Sequence, residues 1–146
     1  MTSHSAARWL RTLLLFIAAF HVIAGLGLMF SMRFQRFAVS LYGAQLPWDV
    51  RDVYFIRIIG SFAFVLGTLA AMAVNNPATT SVVALGFIEF FVLRNIHRHL
   101  FSQELYAGFA VSPLMNDLTT VFFGVQAIAL AVLLWMARRP EPHGPP

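Results

Sequence analysis

Four long apolar stretches fill this chain of 146 residues, and charges within them are so few that the place of each one matters. Residues 12–32 carry no formal charge, residues 58–88 carry none on either side of Asn75-Asn76-Pro77, and residues 118–137 carry none. A bilayer core of about 30 Å takes roughly 20 helical residues to cross. The pattern therefore predicts an all-α polytopic membrane protein, a four-transmembrane-helix antiparallel bundle with spans near 12–32, 53–74, 78–99 and 113–137.

Composition agrees, with 59% of residues hydrophobic and 11% charged, far from the balance of a soluble domain. Four spans and their connections use residues 1–139, which leaves no room for a soluble catalytic domain, and the Pro-rich tail 140–146 is expected to be disordered. The net charge of +4 comes from arginines alone, set at span ends where they meet lipid phosphates. The bilayer is the expected partner and nucleic acid is not. Without cysteine, this chain cannot by itself supply disulfides, thiolate catalysis, Cys-ligated zinc or an iron–sulfur cluster. Arg8 and Arg11 before an apolar run suggest a signal peptide, but the run continues from Thr12 to Met32. A secretory apolar region is only about 7 to 15 residues, so this is read as an uncleaved first span.

The connections differ in length. Arg33, Arg36 and Ser40 recur at helical spacing beside Phe34, Phe37 and Leu41, which suits a short interfacial helix before Tyr42-Gly43 and Pro47-Trp48 break it. Asn75-Asn76-Pro77 joins the second and third spans by a tight turn. The second long connection, Leu100 to Ser112, ends in a helix-start signal at Ser112-Pro113. Both termini and the tight turn then lie on one side of the membrane, and both long connections on the other. Arginines are shared almost evenly between the sides, and the expected orientation places both termini in the cytoplasm.

Helices in lipid associate through small and polar residues. The inward faces are accordingly expected to follow Ala18, His21 and Gly25 on the first span, Arg57, Gly60, Ser61, Phe64, Gly67, Thr68 and Ala71 on the second, Ala78, Ser81, Val82, Leu85 and Glu89 on the third, and Asp117, Thr120, Gly124, Ala127 and Ala131 on the fourth. This gives an intramembrane polar cluster of His21, Arg57, Glu89, Arg94, Asn116, Asp117 and Gln126. His21 and Glu89 lie at one depth, with Gln126 near it, while Arg57, Arg94, Asn116 and Asp117 form a second layer near the long connections. A charge at the bilayer centre costs about 2.5 to 3.5 kcal/mol even on the lenient insertion scale, so pairing is expected. Arg57 or Arg94 would meet Asp117 at the mouth, and His21 and Glu89 would share a proton or a ligand below. The structural alternative is that these pairs only hold the bundle in register.

Asn95, His97, Arg98 and His99, with Arg94, form the most polar run near a span. With Trp48 and Tyr54 they make a candidate interfacial headgroup, anion or quinone site, against the simpler reading of an anchor on phosphates. His97 and His99 are two apart and cannot share a helix face, so no metal site is expected. A bis-His haem is disfavoured because His97 is displaced from His21 by about 13 Å along the axis. No cofactor is predicted, with quinone or lipid left open.

Tyr54-Phe55-Ile56-Arg57-Ile58-Ile59-Gly60 followed by Gly67, after Leu41-Tyr42-Gly43 and Pro47, resembles the DoxX-like group of small four-helix bacterial membrane proteins. The likeness covers roughly residues 10–135 in architecture. It implies a multi-pass protein of the bacterial inner membrane, in some members an accessory partner of a redox system, and it carries no role for His21 or Glu89. The chain is accordingly read as an accessory or ligand-binding membrane subunit, leaning away from an enzyme, working as a homo-oligomer or with other membrane subunits. The alternatives are a proton-coupled transporter of a small or lipophilic molecule and a membrane enzyme acting on lipid or quinone.

Overall fold

The computed structural model describes residues 2–139, so the Pro-rich tail expected at 140–146 lies outside the described residues. Helix α1 (Ser3–Phe30) starts well before the apolar run. Ala6, Ala7 and Arg8 are good helix formers with no breaker among them, and the Thr2 hydroxyl accepts the Ser5 amide at 3.3 Å. Ser31 closes α1 and opens α2 (Met32–Leu41), its amide donating to the Gly27 carbonyl while its hydroxyl accepts the Phe34 amide. Helix α3 (Val50–Val74) begins on a capping box between Asp49 and Asp52.

Asn76 then caps α4 (Pro77–Leu100), its side chain accepting the Ala78 amide at 3.0 Å while Pro77 takes a first-turn position that needs no donor. Thr80 ties this turn down from within by donating to the Ala73 carbonyl at 2.7 Å. The second long connection also coils, as α5 (Ser102–Phe109), before Ser112 caps α6 (Pro113–Ala137) through the Met115 amide. Four helices, α1, α3, α4 and α6, are long and apolar enough to cross a membrane, and the described residues contain no strand. The protein is an all-α, four-helix, multi-pass membrane protein.

The helices form a ring in which α1 packs on α3 and α6, and α4 packs on α3 and α6. The α1–α3 pair is antiparallel and close. A Cβ added to Gly25 would sit 2.6 Å from the Phe64 nitrogen, one on Gly60 2.9 Å from the Gly25 oxygen, and one on Gly67 2.7 Å from the Val22 nitrogen. The α4–α6 pair is held apart by rings, with Phe91 and Phe123 centroids 5.3 Å apart. Leu14, Ile17, Ala70, Ala84 and Leu130 fill the centre between the pairs.

The expected inward stripes hold on α1, where Ala18, His21 and Gly25 are buried, and fail in part elsewhere. On α3 the buried positions are Ile56, Gly60, Gly67, Ala70 and Ala73, while Arg57, Ser61 and Thr68 are exposed. On α4 they are Thr80, Ala84, Phe87, Phe91 and Arg98, nearly opposite the stripe drawn through Glu89. On α6, Asn116, Phe123, Ala127, Leu130 and Leu134 face inward, with Asp117 and Ala131 outside. The cause is that lipid and core are equally apolar, so size alone misplaces a face that is filled by phenylalanine.

Candidate functional site

The last two turns of α4 turn Arg94, Asn95 and Arg98 toward the bundle at the end where the long connections meet. These positions share the face that carries Phe91 because they follow it by three, four and seven residues. Arg94 is half-buried. Its guanidinium donates to the Tyr42 hydroxyl at 2.6 Å and lies 3.6 Å from the centroid of the Phe123 ring, a cation–π contact. Arg98 is 7% exposed, and its Nε donates to Asn116 Oδ1 at 3.0 Å. Asn116 Nδ2 reaches the Tyr106 hydroxyl at 3.4 Å, so α4, α5 and α6 are joined through one amide. Asn95 Nδ2 donates to the Thr120 carbonyl at 3.0 Å, and a Cβ on Gly124, one turn on, would stand in ordinary contact with that nitrogen at 3.5 Å.

Some polar atoms in this region are left over. Arg98 Nη2 and Asn95 Oδ1 are buried without a hydrogen-bond partner among the described residues, as is Gln35 Oε1 on α2, where Gln35 Nε2 donates to the Leu28 carbonyl at 2.6 Å. Among the described residues no carboxylate pairs with Arg94 or Arg98, whose side-chain hydrogen-bond partners are Tyr42 and Asn116. Part of the compensation is the negative end of α4, since Arg98 stands in its last turn. That does not occupy Nη2. Donors of a buried guanidinium left unmade cost about 1–3 kcal/mol or more, so the site has spare capacity for an acceptor oxygen.

The other expected site residues are separated. His21 is buried between the Phe20 and Phe87 rings, each centroid 5.5 Å away. Its Nδ1 lies 2.8 Å from the Ile17 carbonyl, and since a carbonyl only accepts, Nδ1 carries the hydrogen. Glu89 is exposed on the outer face of α4. Phe87, which meets His21, is two residues away and hence about 160° round the helix. The shared His21–Glu89 layer is thereby overturned.

Arg57 and Asp117 are also exposed, on helices that are not neighbours in the ring, and form no ion pair among the described residues. Asn116, one residue from Asp117, takes the inward place. Gln126 is half-buried. The interfacial group divides as well. Trp48 and Tyr54 line an open groove of about 250 Å³ with Arg57 at the start of α3, Trp48 stacking under Arg36 at 5.5 Å. Asn95 and Arg98 point into the bundle, while His97 and His99 are exposed, His97 against the Phe101 ring at 4.6 Å.

Tyr42, Tyr106 and Phe123 belong to the inward cluster without being expected in it, while Thr120, expected on the inward face of α6, joins it through its carbonyl. The available signal was the i, i+4 pair Arg94 and Arg98 together with one tyrosine in each long connection. Compared with known proteins, the chain matches no family model, no curated protein and no solved structure.

Proposed function

We propose that the protein is an accessory, ligand-binding subunit of a membrane complex, and that the connector end of the bundle holds the head of an amphiphile through an acceptor oxygen. The observation that carries this reading is Arg98, buried with Nη2 unpartnered beside a second guanidinium and no carboxylate. Tyr42, Tyr106 and Asn116 supply neutral hydrogen-bonding groups around it, and Asn95 Oδ1 adds an unpartnered acceptor. A lipid phosphate and a quinone carbonyl share the needed chemistry, an oxygen that accepts from a guanidinium at the depth of the headgroups. The redox-accessory role implied by the DoxX-like resemblance, a bacterial inner membrane and cytoplasmic termini belong to the same proposal.

The test is purification in mild detergent with mass spectrometry of extracted lipids and quinones. Wild-type protein should retain one class in fixed ratio, and Arg98→Gln should lose it while remaining folded. An extract no different between wild type and variant rejects the site. Retention of phospholipid points to the headgroup, and retention of quinone to the carbonyl. The transporter alternative depended on His21 and Glu89 sharing a layer, and no observation now favours it.

A further inference from the structure

We infer that the cleft between α1, α4 and α6, at the end of the bundle that carries both termini, holds the phosphate of an anionic phospholipid. This site is separate from the one proposed above, which lies at the opposite, connector end. The cleft has a volume of about 180 Å³ and is lined by Ala7 and Arg11 of α1, Thr80 and Ser81 of α4, and Arg138 at the close of α6. Arg11 stands just before the apolar run of α1 and Arg138 just past that of α6. Both guanidiniums are therefore at headgroup depth, where lipid phosphates lie. They line one cavity from different helices, and among the described residues neither side chain has a hydrogen bond or an ion pair.

Nothing described in the chain neutralises them. Among the described residues the carboxylates are Asp49, Asp52, Glu89, Glu104 and Asp117, all at mid-span or at the connector end, whereas Arg8 and Arg139 add further positive charge at this end. Ser81 points to the same ligand. Its neighbours Thr79 and Thr80 each donate to the Asn76 carbonyl, but the Ser81 hydroxyl makes no hydrogen bond among the described residues and keeps its donor beside the two guanidiniums. A phosphate has acceptor oxygens for all three groups, and its hydrogen bonds to guanidinium are charge-assisted and often bidentate. A zwitterionic head fits less well, because its ammonium would enter a field of arginines with no carboxylate to receive it. The cleft therefore selects a net-negative headgroup.

Because the chain has no cysteine, one introduced thiol reports on the cleft alone. Ala7→Cys lies within it, and Asn75→Cys, exposed on the tight turn at the same end, is the control. In neutral detergent, phosphatidylglycerol should slow alkylation of Ala7→Cys by N-ethylmaleimide about tenfold and that of Asn75→Cys by less than about twofold. Added to Ala7→Cys, Arg11→Gln and Arg138→Gln should each raise the lipid concentration required by about tenfold, and Ser81→Ala by about threefold, since each removes a donor to the phosphate. Arg8→Gln and Arg139→Gln, outside the cleft, should change it by less than about twofold. Arg98→Gln should leave it unchanged, which keeps this test apart from that of the connector-end site. Equal protection by phosphatidylcholine, equal losses from all four terminal-end arginines, or inorganic phosphate protecting as well as the lipid would each overturn the proposal. So would faster alkylation of lipid-free Ala7→Cys on adding Glu141→Gln, which would make the chain's own tail the occupant. Arg11 and Arg138 are exposed, so their variants should melt with the parent protein, and that melting temperature separates lost binding from lost folding.

Discussion

The pair α1–α3 and the pair α4–α6 are held together by different means. Between α1 and α3 the backbones themselves touch, because Gly25, Gly60 and Gly67 leave no side chain at the crossing, and nothing polar needs a partner there. Between α4 and α6 the contact is made by Phe91 and Phe123 in the middle and by Arg98, Asn116, Asn95 and the Thr120 carbonyl at one end. The first seam is complete as it stands. The second leaves Arg98 Nη2 and Asn95 Oδ1 unpartnered, so a ligand has something to add there and nothing to add at the glycine seam.

The largest effect is expected where the seam is filled. Gly60→Leu puts a side chain against the Gly25 oxygen and the Met29 nitrogen, which no rotamer change can relieve, so thermal unfolding in detergent should show a loss of about 3 kcal/mol or more. Gly108→Leu, where a Cβ meets nothing within 4 Å, should stay within about 0.5 kcal/mol. Equal losses would mean that the close α1–α3 crossing is not what holds this side.

Next comes the polar end. Asn116→Leu removes the one side-chain acceptor that Arg98 has among the described residues and should cost about 3 kcal/mol in the same measurement. Joining it to Arg98→Leu should recover much of that loss, because replacing both partners is far milder than stranding one. Simple addition of the two single losses would show that the residues are not coupled.

Smaller again is His21→Phe. Among the described residues His21 bonds only to a carbonyl of its own helix and packs against two rings, so the change should fall within about 1.5 kcal/mol and leave retained lipid or quinone unchanged. Loss of the ligand would extend the site down to mid-bundle. The smallest effect belongs to Arg57→Ala with Asp117→Ala, exposed on non-neighbouring helices, where a double-mutant cycle on dispersed protein should show additivity to within about 0.5 kcal/mol.

Much of this was legible along the chain. The tight turn at Asn75-Asn76-Pro77, the cap at Ser112 and the helix in the first connection are local chemistry, readable from a few consecutive residues. The polar end was half legible. Arg94, Asn95, Arg98 and Asn116 were candidates, but they had been divided between two sites, and their tyrosine partners come from connections whose fold-back no local pattern describes.

The sequence by itself determined that the chain is all-helical, crosses the membrane four times and carries few ionisable groups within its spans, because bilayer thickness and the exclusion of charge act on each segment alone. Only the tertiary structure decided which side of each helix faces its neighbours. Water would have marked the outside of a soluble bundle with polar residues, but lipid is as apolar as a core. The rotation of each helix therefore rests on glycine contacts, ring packing and the pairing of buried amides, which exist only once the helices are together.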